Sequence, residues 1–199
     1  SSYGNIPVWR ATRNGTTINI TVVADTASDA TARIGYALYL GSNNSNFVSA
    51  NQTKYKNLAL NLSANMVSHE FVNSCYNGVF GNAQICYWLA GGRNSANGGL
   101  ASAPYVWTGY FPDAIRFMLA SYQYTSNNTY LNISEDLIEQ TLMANNYTGG
   151  TTATSFKVAP FNFRWDTANN PPTIRPGNTY YFNTSNPAWD DSDAPRAHW

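Results

Sequence analysis

Apolar and polar positions alternate most cleanly from Thr17 to Ala24, where Ile18, Ile20, Val22 and Ala24 face one way and Thr17, Asn19, Thr21 and Val23 the other. A period of two predicts a half-buried strand. Stretches rich in branched and aromatic residues recur at Thr31 to Leu40, Gln84 to Leu89, Ala103 to Phe111, Ser155 to Trp165 and Thr179 to Asn183. In Ser155 to Trp165, Phe156 and Val158 share a face, Pro160 shifts the phase, and Phe161, Phe163 and Trp165 share the next, as at an edge strand or bulge. Turn residues fill the intervals, at Gly91-Gly92, Asn97-Gly98-Gly99, Gly149-Gly150 and Asn169-Asn170-Pro171-Pro172. This punctuation predicts an all-β chain folded as an antiparallel β-sandwich.

Two segments compete with that pattern. Asn132-Ile133-Ser134-Glu135-Asp136 offers a cap and first-turn acids ahead of Leu137, Ile138 and Leu142, with Asn145 near the stop, and predicts one short helix. Pro112 to Tyr122 starts like a helix at Pro112 and Asp113, while its flanking aromatics favour strand. The ends stand apart. Residues 1–13 form an apolar arm with Tyr3, Ile6, Pro7, Val8 and Trp9, ahead of a head domain at residues 14–199. The arm reads either as an ordinary first strand or as a strand lent to a neighbouring subunit's sheet edge.

Composition narrows the setting. Only 11% of residues are charged, against about 25% in typical soluble domains. Formal net charge is zero and the basic residues form no stripe, so nucleic acid is not an expected partner. No apolar run reaches the roughly 18 to 20 residues of a membrane span. The Ser1-Ser2-Tyr3 start fits a secreted chain whose signal peptide has been removed. Nine N-x-S/T sequons, at Asn14, Asn19, Asn43, Asn51, Asn61, Asn127, Asn132, Asn146 and Asn183, point the same way. Chance in so Asn-, Ser- and Thr-rich a chain supplies roughly four or five. An extracellular location with covalent N-glycans, and no other cofactor, is expected.

Cys75 and Cys86 are the two cysteines, and an even pair outside the cell reads as one disulfide. The rivals, a thiol nucleophile served by His69 or half of a metal site, must draw on His69 and His198 alone. His69-Glu70 lacks the second histidine of a zinc-protease helix, and Asp190-Asp191-Ser192-Asp193 lacks the glycine and distal glutamate of a calcium loop. Glu135 and Glu139 lie one turn apart on an expected solvated face. No nucleophile elbow, phosphate loop or dinucleotide fingerprint is present, so no catalytic residue and no metal ligand is assigned, and a non-enzymatic role is expected. Six Trp and fourteen Tyr suit either an aromatic core or sugar-stacking surfaces.

The Ser-Ser start, the arm around Ile6, Val8 and Trp9, the sequon-bearing strand Thr17 to Ala24, the Cys75 and Cys86 pair and the Asn-, Thr- and Tyr-rich body together resemble the subunit of archaeal threads, thin extracellular filaments of thermoacidophilic archaea. That resemblance implies an immunoglobulin-like sandwich head and an N-terminal tail whose Ile6, Val8 and Trp9 bind the next subunit by donor-strand complementation. It also implies a head-to-tail homopolymer serving adhesion and biofilm formation, with cell surfaces or other filaments as partners. The alternative is a secreted carbohydrate-binding or glycoside-active sandwich domain, and a third reading is an S-layer-like or viral surface module.

Overall fold

The computed structural model describes residues 12–14, 17–19, 27–90, 92–93, 100–101, 105–107, 110–145, 162–166 and 168–174. Four helices dominate them: α1 (Ser28–Ser42), α2 (Ser49–Glu70), α3 (Phe111–Thr125) and α4 (Asn128–Asn145). This overturns the expected immunoglobulin-like sandwich.

The physical reason is clearest at Thr31 to Leu40, read as a strand from its branched and aromatic content. Its buried positions are Thr31, Ala32, Gly35 and Tyr39, at helical spacing, while Ile34 and Leu40 face solvent. Local β preference yielded to a face built from small residues. Helix α2 went unread because its buried positions, Ala59, Leu62, Ser63, Met66 and Glu70, include a serine and a glutamate. At α3, Pro112 occupies the first turn and the helix reading wins over strand. The helix expected from Asn132 begins earlier, at Asn128, capped by the Asn127 side chain, whose Oδ1 accepts from the Thr129 amide at 3.0 Å.

The helices form two antiparallel hairpins, α1 with α2 and α3 with α4, laid side by side so that α1 and α3 run parallel. Their register holds from end to end. Arg33 meets Asp113, Tyr39 Oη donates to Ser121 Oγ at 3.2 Å, and Ser42 Oγ lies 3.2 Å from Tyr124 Oη. Between these contacts Gly35 faces the Phe117 ring, where a Cβ would sit 2.1 Å from the ring edge. Glycine sets the close approach. Ser63 continues the hydroxyl chain, its Oγ lying 3.2 Å from Tyr130 Oη.

Between the helical hairpins the chain makes a β-hairpin of β3 (Phe71–Asn77) and β4 (Gln84–Leu89), paired antiparallel from Phe71 with Leu89 to Asn77 with Gln84. The expected strand Gln84 to Leu89 is therefore present as β4. A disulfide joins Cys75 to Cys86 across this hairpin, which excludes both as a free nucleophile or metal ligands. At its tip a side chain on Gly78 would strike the Asn82 carbonyl at 1.9 Å. Trp88 anchors the hairpin's inner face, its Nε1 donating to the Ser74 carbonyl at 2.6 Å and its ring edge-on to Trp165 at 5.4 Å.

Short antiparallel pairings complete the described chain. β1 (Thr12–Asn14) pairs with β2 (Thr17–Asn19), β5 (Gly92–Arg93) with β6 (Leu100–Ala101), and β8 (Asn162–Asp166) lies between β7 (Tyr105–Trp107) and β9 (Thr173–Ile174). Of the strand expected over Thr17 to Ala24, the described part is Thr17–Asn19. Thr12 and Arg13, placed in the donor arm by the sequence reading, pair with Asn19 and Ile18 of the same chain. Ile6, Val8 and Trp9, the segment Thr179 to Asn183 and the acidic run at 190–193 lie outside the described residues.

Candidate functional site

Parallel α1 and α3 bring their N-termini to one end of the bundle, and a polar cluster forms there. Asp29 lies in the first turn of α1, Arg33 one turn later, Asp113 in the first turn of α3, and Tyr110 immediately before α3. Arg33 Nε donates to Asp113 Oδ2 at 2.6 Å, and its Nη1 sits 3.4 Å from Asp29 Oδ2. The Asp113 hydrogen bond raises the already high Arg33 pKa. One guanidinium thus spans two helices and two carboxylates, with N–H groups left over.

The cluster faces water: the Arg33 side chain is 51% exposed, and Asp29 and Asp113 are 19% and 22%. Tyr110 is half-buried, and burial, helped by nearby Asp29, pushes its phenol up to about 12. Its hydroxyl remains a protonated donor at any physiological pH. Below the rim, the Thr31 hydroxyl donates to buried Glu70 Oε1 at 3.0 Å, and Ser28 Oγ donates to the Ala90 carbonyl at 2.6 Å. These bonds fix the start of α1 to the end of α2 and to β4.

A second group of acids lies on α4 and behaves differently. Asp136 Oδ2 accepts from the Cys86 and Tyr87 amides at 2.8 and 2.9 Å, and its Oδ1 accepts from Asn82 Nδ2 at 3.2 Å. Burial lifts its carboxyl above the ordinary carboxylate range, against the pull of those amides. Glu139 Oε1 accepts from the Val79 amide at 2.6 Å and from the Phe80 amide, and Gln140 Nε2 donates to the Tyr87 carbonyl at 2.8 Å. Together they seat the β-hairpin on α4. Glu139, expected on a solvated face, is 4% exposed, because the hairpin covers the side of α4 that its helical position shares with Asp136. Glu135 remains exposed.

Of the sequon asparagines, Asn43, Asn51, Asn61, Asn127 and Asn132 lie on the exposed helical surface and its turns. Asn14 and Asn19 fall on β1 and β2, and Asn146 and Asn183 lie outside the described residues. The rim itself was missed by sequence reasoning. Its signal was the Asp29 and Arg33 pair at i,i+4, which has meaning only once Thr31 to Leu40 is read as helix. In comparisons with known proteins, no family model and no curated sequence matches the chain.

Proposed function

We propose that this chain is an extracellular carbohydrate-binding domain, helical where a sandwich was expected, with its ligand site at the joined N-termini of α1 and α3. The observation that supports it is the water-facing Asp29, Arg33 and Asp113 bridge beside the protonated Tyr110. Paired carboxylates accept hydrogen bonds from vicinal hydroxyls, and the guanidinium donates to ring and hydroxyl oxygens. Two acids against one base leave the cluster net negative, which disfavours phosphate or sulfate and favours a neutral polyol. The low overall charge and the sequon-rich composition fit an extracellular glycan ligand.

A panel of soluble polysaccharides and oligosaccharides, titrated calorimetrically, tests this. At least one neutral glycan should bind, and Arg33→Ala and Asp113→Ala should each weaken it tenfold or more. Binding untouched by both substitutions sinks the rim as the site, and failure of every glycan sinks the reading. Reducing-sugar release in the same mixtures separates binding from glycoside hydrolysis.

Self-assembly into a filament is a second reading, supported by the same extracellular composition. Its donor-strand route asks for a sandwich edge, and among the described residues there is no two-sheet sandwich. Electron microscopy of the concentrated chain decides it: filaments support assembly, and dispersed particles remove it.

A further inference from the structure

The parallel register of α1 and α3 sorts the sequons in space. Asn43 follows directly on Ser42, and Asn127 follows closely on Tyr124, so the contact between Ser42 and Tyr124 places both asparagines at the same pole. Asn51 lies in the first turn of α2, and Gln52 Nε2 ties that turn to the Asn44 carbonyl at 2.7 Å. The 15 residues of α1 put this pole about 20 Å from the Asp29 and Arg33 rim.

Packing explains some of the motifs and leaves others. Ser63 and Ser134, which complete the sequons of Asn61 and Asn132, are wholly buried. Ser63 Oγ bonds the Leu60 carbonyl at 2.9 Å besides Tyr130, and Ser134 Oγ donates to the Tyr130 carbonyl at 2.9 Å. Small hydroxyl residues at close helix contacts account for those two motifs without sugar. Ser45 and Thr53 are exposed and Thr129 is half-exposed, so no such account covers the sequons of Asn43, Asn51 and Asn127. Asn127 caps α4 through Oδ1, which leaves its Nδ2, the atom that takes the sugar, outside the cap.

We propose that Asn43, Asn51 and Asn127 carry N-linked glycans, forming a sugar cap on the turn pole. The cap shares only the extracellular location with the carbohydrate-binding reading. Bulky, strongly hydrated sugar at this pole shields a weakly charged chain from association.

The full chain, secreted from eukaryotic cells, is deglycosylated enzymatically in heavy-oxygen water, so that each formerly modified asparagine becomes a labelled aspartate visible by peptide mass spectrometry. Occupancy above half is expected at each of Asn43, Asn51 and Asn127, and occupancy below half at any one overturns the cap. As a second readout, Ser45→Ala, Thr53→Ala and Thr129→Ala should each lower the secreted protein's mass by one glycan; an unchanged mass overturns the assignment at that site. Both measurements read sugar on asparagine irrespective of any ligand, so the cap and the rim can fail separately.

Discussion

Two acidic regions of this molecule use carboxylates in opposite ways. At the rim, Asp29 and Asp113 face water and pair with one arginine; on α4, Asp136 and Glu139 are buried and pair with backbone amides of the hairpin. An exposed ion pair contributes little to stability, because water already solvates both partners. A buried carboxylate holding otherwise orphaned amides contributes much more, because its loss strands those donors in a dry place. The α4 acids are therefore structural, and the rim acids are those the proposed ligand would engage.

Asp136→Ala should break the comparison hardest. It removes the acceptor for the Cys86 and Tyr87 amides and for Asn82, and we expect a loss of about 3 kcal/mol in urea unfolding. A loss under about 1 kcal/mol would place Asp136 in the same class as the rim acids.

Gly35→Ala should cost about 2 kcal/mol by forcing the Phe117 ring off α1. The strain falls between the rim and the turn pole, so it should also disturb glycan binding while leaving the hairpin seat intact. Amide exchange at Cys86 and Tyr87 would report on the seat.

The pH dependence tests the buried region by itself. Burial raises the Asp136 pKa in the folded chain, so the folded state holds that proton more tightly than the unfolded one. The resulting stabilisation is complete below the unfolded value of about 3.9 and is lost as pH rises through the folded value. Asp136→Asn removes that titration. The urea midpoint of wild type relative to this variant should fall as pH is raised from about 3 toward neutrality, and a difference that stays flat or rises would contradict the burial effect.

Arg33→Ala should have the smallest effect on folding, within about 1 kcal/mol, since the arginine side of both pairs is open to water. Equilibrium unfolding beside the calorimetric titration checks this: stability nearly unchanged with binding lost confirms the division between the regions. A large stability loss would make Arg33 a structural staple.

Legibility in the sequence followed how local each feature is. The short-range hairpin strand Gln84–Leu89, the disulfide between Cys75 and Cys86 and the helical character around Leu137 could be read directly, since each depends on residues close in the chain. The sandwich expectation failed at Thr31 to Leu40 because composition favoured strand and the decisive residue was Gly35, whose role is to admit Phe117 from a distant helix. Glu139 was misplaced for a related reason: an acid on a helix looks solvated until the β-hairpin that covers it is known.

What the sequence determined by itself is the chemistry on offer: few charges, many sequons, one cysteine pair, and an i,i+4 match between Asp29 and Arg33. Tertiary structure decided which of those groups meet. Asp113 reaches Arg33 from 80 residues away, and Asp136 reaches the Cys86 amide from 50, because helix packing sets both contacts and no local pattern encodes them. Burial then divided chemically alike carboxylates into those held by amides and those left to water, since desolvation depends on every surrounding element at once.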